Sequence, residues 1–62
     1  MLVQIQDARC VKIGDYIWDK LSGRKYMVRE IFDYKKYIMF VCYDSSLNIS
    51  EHLHTDIRRF PK

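Results

Sequence analysis

The pair His52-Leu53-His54 is the first place in this 62-residue sequence where chemistry could concentrate. Residues two apart on a strand share a face, so both imidazoles could reach one metal ion. A zinc site takes three or four ligands. Cys42 and Glu51 could be recruited, yet no spacing rule points to them. The expectation is two surface histidines near a turn, with no metal and no cofactor. The two thiols, Cys10 and Cys42, are the other reactive groups. A nucleophilic cysteine needs a neighbouring base and a lowered pKa. Cys42 sits instead in the apolar run Tyr37–Tyr43 and is expected to fill core space. One pair so far apart is not the framework of a disulfide-rich secreted domain, so both are read as reduced thiols of a cytoplasmic protein.

The eight carboxylates fall at expected turns or beside basic residues. Asp15 and Asp56 are expected to hold turns by hydrogen bonding to backbone amides. No carboxylate pair is set up for acid–base work, and no glycine-rich phosphate loop or Ser-His-Asp order stands out. A chain this short has little room for a cleft that excludes water, and no catalytic residue is assigned. The expectation is a binding module and not an enzyme.

Binding chemistry has better candidates. Basic residues occur as adjacent pairs, Arg24-Lys25, Lys35-Lys36 and Arg58-Arg59, amid 15% aromatic residues. Cations beside exposed rings can grip phosphates while the rings stack on bases. The net charge is only +3, and the two halves carry +2 and +1. That excess permits nucleic-acid contact without demanding it. Successive hairpin turns lie at opposite ends of a small barrel, so Arg24-Lys25 and Lys35-Lys36 should point apart. Trp18 is the strongest single anchor. If Ile17 faces inward in alternation with Ile13, then Tyr16 and Trp18 face outward as a contact patch; the opposite register buries Trp18.

The elements that must position these residues read almost entirely as strands. Val, Ile, Tyr, Phe and Trp suit a pleated, half-buried surface. Ile13–Lys20 is one strand, and Leu21–Arg24 closes a hairpin onto Lys25–Phe32. Val28 and Ile31 cannot both face inward on a regular strand, which predicts a bulge near Arg29-Glu30. Asp33–Lys36 turns into the central strand Tyr37–Tyr43, apolar on both faces. Asp44-Ser45-Ser46 turns again, Leu47–His52 alternates as a fourth strand, and His54–Asp56 is a short 3₁₀ turn. Ile57–Phe60 is the last strand, and Pro61 ends it. Residues 1–9 form an extra strand or a loose arm. The whole, 1–62, is one all-β domain, a small closed barrel over about residues 11–60.

This order resembles the SH3-like barrels, in particular Tudor-type domains. The matching residues are Gly14-Asp15 at the first strand, Gly23 and Tyr26 around the first turn, and Ile31 and Phe32 ending the second strand. Val41 and Tyr43 end the third, Glu51 lies in the fourth, and Asp56-Ile57 precedes the last. Gly14-Asp15 before alternating apolar residues is also similar to KOW-type modules. The Tudor resemblance implies an aromatic cage at Tyr26 and Tyr43, where cation–π attraction would hold a methylated cation. Leu21 and Ser46 stand where the other cage rings are expected, and two rings do not enclose a cation.

The sequence is thus read as a small protein-interaction adaptor or regulator, of a size that suits a phage or mobile element. It would be a monomer or homodimer binding through Tyr16, Trp18, Tyr26 and Tyr43, with no membrane segment. The alternative is a nucleic-acid-binding barrel using the three basic pairs.

Overall fold

A computed structural model describes residues 5–61. Five strands form one antiparallel sheet: β1 (Tyr16–Asp19), β2 (Lys25–Asp33), β3 (Ile38–Tyr43), β4 (Ile49–Leu53) and β5 (Ile57–Arg59). Their order is β4-β3-β2-β1-β5, and a single 3₁₀ turn, His54–Asp56, precedes β5. The sheet curls into a half-barrel and not the closed barrel expected, because among the described residues no pairing joins β4 to β5. The Lys20 amide extends the β1–β5 pairing by donating to the Asp56 carbonyl at 2.8 Å, and across the gap the His52 ring of β4 approaches Asp19 of β1.

The concave side holds the core. Ile17, Val28, Ile38, Phe40, Cys42 and Ile57 are its largest fully buried side chains. Removing each aliphatic or aromatic side chain from water contributes roughly 1.5–3 kcal/mol. The bulge lies where the sequence requires it. Val28 pairs with Cys42 and Glu30 with Val41, leaving Arg29 as the extra residue. Val28 faces the core, and beyond Arg29 it is Ile31 that packs against it.

Each hairpin turn is led by an aspartate whose carboxylate accepts amides just ahead of it. Asp19 Oδ2 accepts from Leu21 at 3.1 Å and Ser22 at 2.8 Å. Asp33 Oδ1 accepts from Lys35 at 2.8 Å, and Asp44 Oδ1 accepts from Ser46 at 2.8 Å and Asn48 at 2.9 Å. These bonds favour the ionised form, and all three carboxyls lie below the ordinary carboxylate value. Asp15 works alike on the Lys12 amide at 2.9 Å, whereas Asp56 supplies its backbone carbonyl.

Two further expectations are corrected. The segment read as extra strand or arm contains a helical turn, α1 (Ile5–Arg9); Leu2-Val3 lie outside the described residues. Ile5, Ala8 and Val11 recur every third residue, a helical spacing, and all three pack on the core. Arg9 leaves the other side of α1 and clips it to the β2–β3 turn, meeting Asp33 at 3.2 Å and the Lys35 carbonyl at 3.0 Å. Ile13 is 69% exposed and not inward. Gly14, at φ +96°, breaks the alternation before the strand begins, and the buried apolar residue ahead of β1 is Val11.

Candidate functional site

The ladder pairings sort the candidate residues onto two faces. Ile17 opposes Tyr26, and Ile17 is buried, so Tyr26 belongs to the concave side. Its ring packs on His52 with centroids 4.5 Å apart. Tyr43 opposes Met27, and Met27 opposes Tyr16, so these three lie on the convex side. Tyr26 and Tyr43, the two cage positions, therefore sit on opposite faces of the sheet.

The convex face is organised in cross-strand rows. Tyr16, Met27, Tyr43 and Ile49 form one row across four strands. Glu30, Val41 and Glu51 form the next, and Phe32, Met39 and Leu53 the third. Val41 is largely covered yet is not part of the core cluster, as its place on the outer face requires. Beside the first row, Trp18 opposes both Lys25 and Arg59.

Cations lie over the outward rings. The Arg59 guanidinium is 4.7 Å from the Trp18 ring centre, Lys25 Nζ is 4.5 Å from that of Tyr16, and Arg29 is 5.7 Å from that of Tyr43. Trp18 is consequently half-buried and not bare. Arg58 joins the same end, its guanidinium lying where a side chain at Gly23 would meet it at 3.6 Å. Arg24 is near enough to Asp44 to help lower its pKa, after the Asn48 and Ser46 amide bonds. One member of each of two basic pairs, Lys25 and Arg59, thus flanks Trp18. Lys35-Lys36 lies at the far end of β2 with Arg9. A shallow depression of about 290 Å³ opens beside the first row, lined by Tyr16, Lys25, Met27, Tyr43, Asp44, Ser45 and Leu47.

Several surface residues escape a reading of the sequence. Leu47 is exposed at φ +64°, an uncommon backbone conformation for a side chain of that size. Phe32, Tyr34 and Tyr37 form an exposed stack at the β2–β3 turn, with centroid spacings of 6.4 and 4.9 Å. Phe32 and Tyr34 are two residues apart, which hinted at a shared side. The arrival of Tyr37 depends on the turn, where Lys35 adopts φ +71°.

The histidines part company, contrary to the expectation of two surface rings. His54 leaves the strand period in the 3₁₀ turn and is buried, and its Nδ1 accepts the Ile38 amide at 3.1 Å. An acceptor at Nδ1 places the ring proton on Nε2. His52 Nε2 lies 2.7 Å from Ser50 Oγ, and its Nδ1 lies 3.5 Å from Asp19 Oδ1. The residue types are those of a nucleophilic triad, but Asp19 is engaged by its own turn and makes no hydrogen bond to the ring. This array reads as a polar latch across the open seam. Among the described residues no group of three or more His, Cys, Asp or Glu could hold a metal ion. Cys42 is buried without a disulfide, and desolvation pushes its thiol up to about 12, so it is not a thiolate at neutral pH. No helix among the described residues is long and apolar enough to cross a membrane. Comparison with family models, with curated proteins and with solved structures gives no match.

Proposed function

We propose that this chain is a non-catalytic protein-binding module of the SH3-like kind, docking a partner on the convex face of its sheet. The strand order, the curl and the 3₁₀ turn before β5 support the SH3-like reading. One observation carries the function: the row Tyr16–Met27–Tyr43–Ile49, continued by Leu47, puts contiguous apolar surface in solvent. Among the described residues, nine large hydrophobic side chains are exposed against nine buried residues in the core cluster, so the surface holds as many apolar side chains as the interior. Single exposed hydrophobics need no explanation, but a row flanked by cations has the composition of an interface centre. Rings already covered by Lys25, Arg29 and Arg59 are partly desolvated and held in place, which lowers the entropic cost of docking. A cytosolic partner and an adaptor or regulator role accord with the unpaired thiols.

The test is affinity capture from the source cells with wild-type protein, Tyr43→Ala and Trp18→Ala. Both variants should lose the partner while their circular dichroism stays that of the parent. Identical capture by all three proteins would refute the reading.

A second reading has its own observation. Trp18 stands in register between Lys25 and Arg59, a ring between two cations, as single-stranded nucleic-acid surfaces require. In that case affinity for a labelled oligothymidine falls steeply with salt, and Lys25→Ala or Arg59→Ala each reduces the salt slope by about one. Flat salt dependence would eliminate it.

A further inference from the structure

We propose that the free edge of β4 captures an extended peptide of the pattern apolar–x–Lys/Arg–x–apolar, which joins the sheet as a sixth strand. The proposal rests on the protein-binding reading and names the chemistry of the partner.

The sheet has two edges, β4 and β5. β5 has three residues and carries Arg58 and Arg59, a short, charged edge of the kind that resists pairing. β4 has five residues and one formal charge, Glu51, between exposed Ile49 and Leu53. Every other amide and carbonyl of an edge strand points away from its neighbour. Among the described residues, no backbone hydrogen bond outside the ladders uses Ile49–Leu53. The edge is therefore a template with unmet donors and acceptors.

The rows define what fits. An added strand would extend the row ending at Ile49, the row ending at Glu51 and the row ending at Leu53. Its outward residues, at alternate positions, would therefore meet apolar, acidic and apolar neighbours in turn. The acidic row is reinforced two strands inward by Glu30, and neither glutamate has an ion-pair partner among the described residues. A lysine or arginine at the middle position meets this charge, and apolar residues on either side continue the surface begun by Tyr43 and Met39. The positions facing the concave side would lie beside Ser50 and His52, which suits small polar residues.

The same rows argue against a second copy of this chain. Antiparallel self-pairing that matches Ile49 with Leu53 sets Glu51 directly against the Glu51 of the other copy. Like charges directly opposite destabilise a ladder.

The probe is the peptide Thr-Val-Thr-Lys-Thr-Val-Thr, titrated to millimolar concentration while backbone amide shifts and exchange rates are followed by NMR. The comparison probes are the same peptide with Glu for Lys and with alternate backbone nitrogens methylated. The expected result is shifts and slowed exchange along Ile49–Leu53, about tenfold tighter binding of the Lys peptide than of the Glu peptide, and no binding by the methylated one. Glu51→Lys should invert the preference, and Glu51→Gln should erase it without disturbing the fold. Silent β4 amides, equal affinity for both peptides, or β4 protection arising from self-association or from added oligothymidine would overturn the proposal. If β4 stays silent while Tyr16, Tyr43 and Leu47 shift, the edge assignment fails and the protein-binding reading stands.

Discussion

The two faces of β3 carry side chains of similar character to opposite ends. Ile38, Phe40 and Cys42 point into the curl and are almost wholly buried; Met39, Val41 and Tyr43 point outward into rows that meet solvent or each other. Hydrophobicity along this strand does not say which residue makes the fold and which makes the surface. The partner strands decide. Val28 and Ile17 stand behind the inner set, whereas Glu30, Glu51 and the cations over Tyr16 and Tyr43 frame the outer one. The lesson is that a small sheet can be apolar on both sides and still be one-sided in its energetics.

The most forceful way to break this contrast is Phe40→Ala. Phe40 is fully buried and packs on Phe60 with ring centroids 6.0 Å apart. Its truncation costs about 3–5 kcal/mol, most of the stability a domain of this size has. The expected result is loss of the cooperative urea transition. Retention of a transition near the wild-type midpoint would mean that the two faces are more alike than they look.

Much of this contrast was readable beforehand. The bulge followed from Val28 and Ile31 demanding the same side, and the inward direction of Ile17 followed from alternation, although Ile13 was the wrong companion for it. The sides of Tyr26 and Tyr43 depend on which residues pair across strands, which no single strand reveals. The helical turn at Ile5–Arg9 was visible only as Ile5, Ala8 and Val11, too few repeats to outweigh the β-prone composition around them. Burial of His54 arises from a 3₁₀ turn folding back to the start of β3, a contact between residues sixteen positions apart. The Phe32–Tyr34–Tyr37 stack likewise depends on the exact course of a turn.

Acid offers a gentler separation. Asp19, Asp33 and Asp44 have folded pKa values below their ordinary value of 3.8. Their contribution to stability is complete above about pH 4 and is lost as pH falls through the lowered values, because the unfolded chain takes up protons first. Unfolding midpoints measured from about pH 6 down to pH 2 should hold steady and then drop below about pH 4. A decline that begins above pH 5 would show that the turns are not its source.

The smallest effect sharpens the contrast most. Leu47→Gly relieves a side chain held at positive φ while removing a wall of the outer depression. Stability should change by less than about 1 kcal/mol, since relief of the backbone offsets the added freedom of the unfolded chain. Partner capture should weaken. Capture equal to wild type would remove Leu47 from the docking surface.

The odd residue at Arg29 fixes the phase of the second half of β2. Standing outside the ladder, it lets Ile31 oppose Phe40 and Phe32 oppose Met39; drawn into regular pairing, it would make each trade places with its neighbour. Deletion of Arg29 would therefore leave a regular ladder with the same partners, whereas straightening the strand with Arg29 in place would turn Ile31 outward and Phe32 inward.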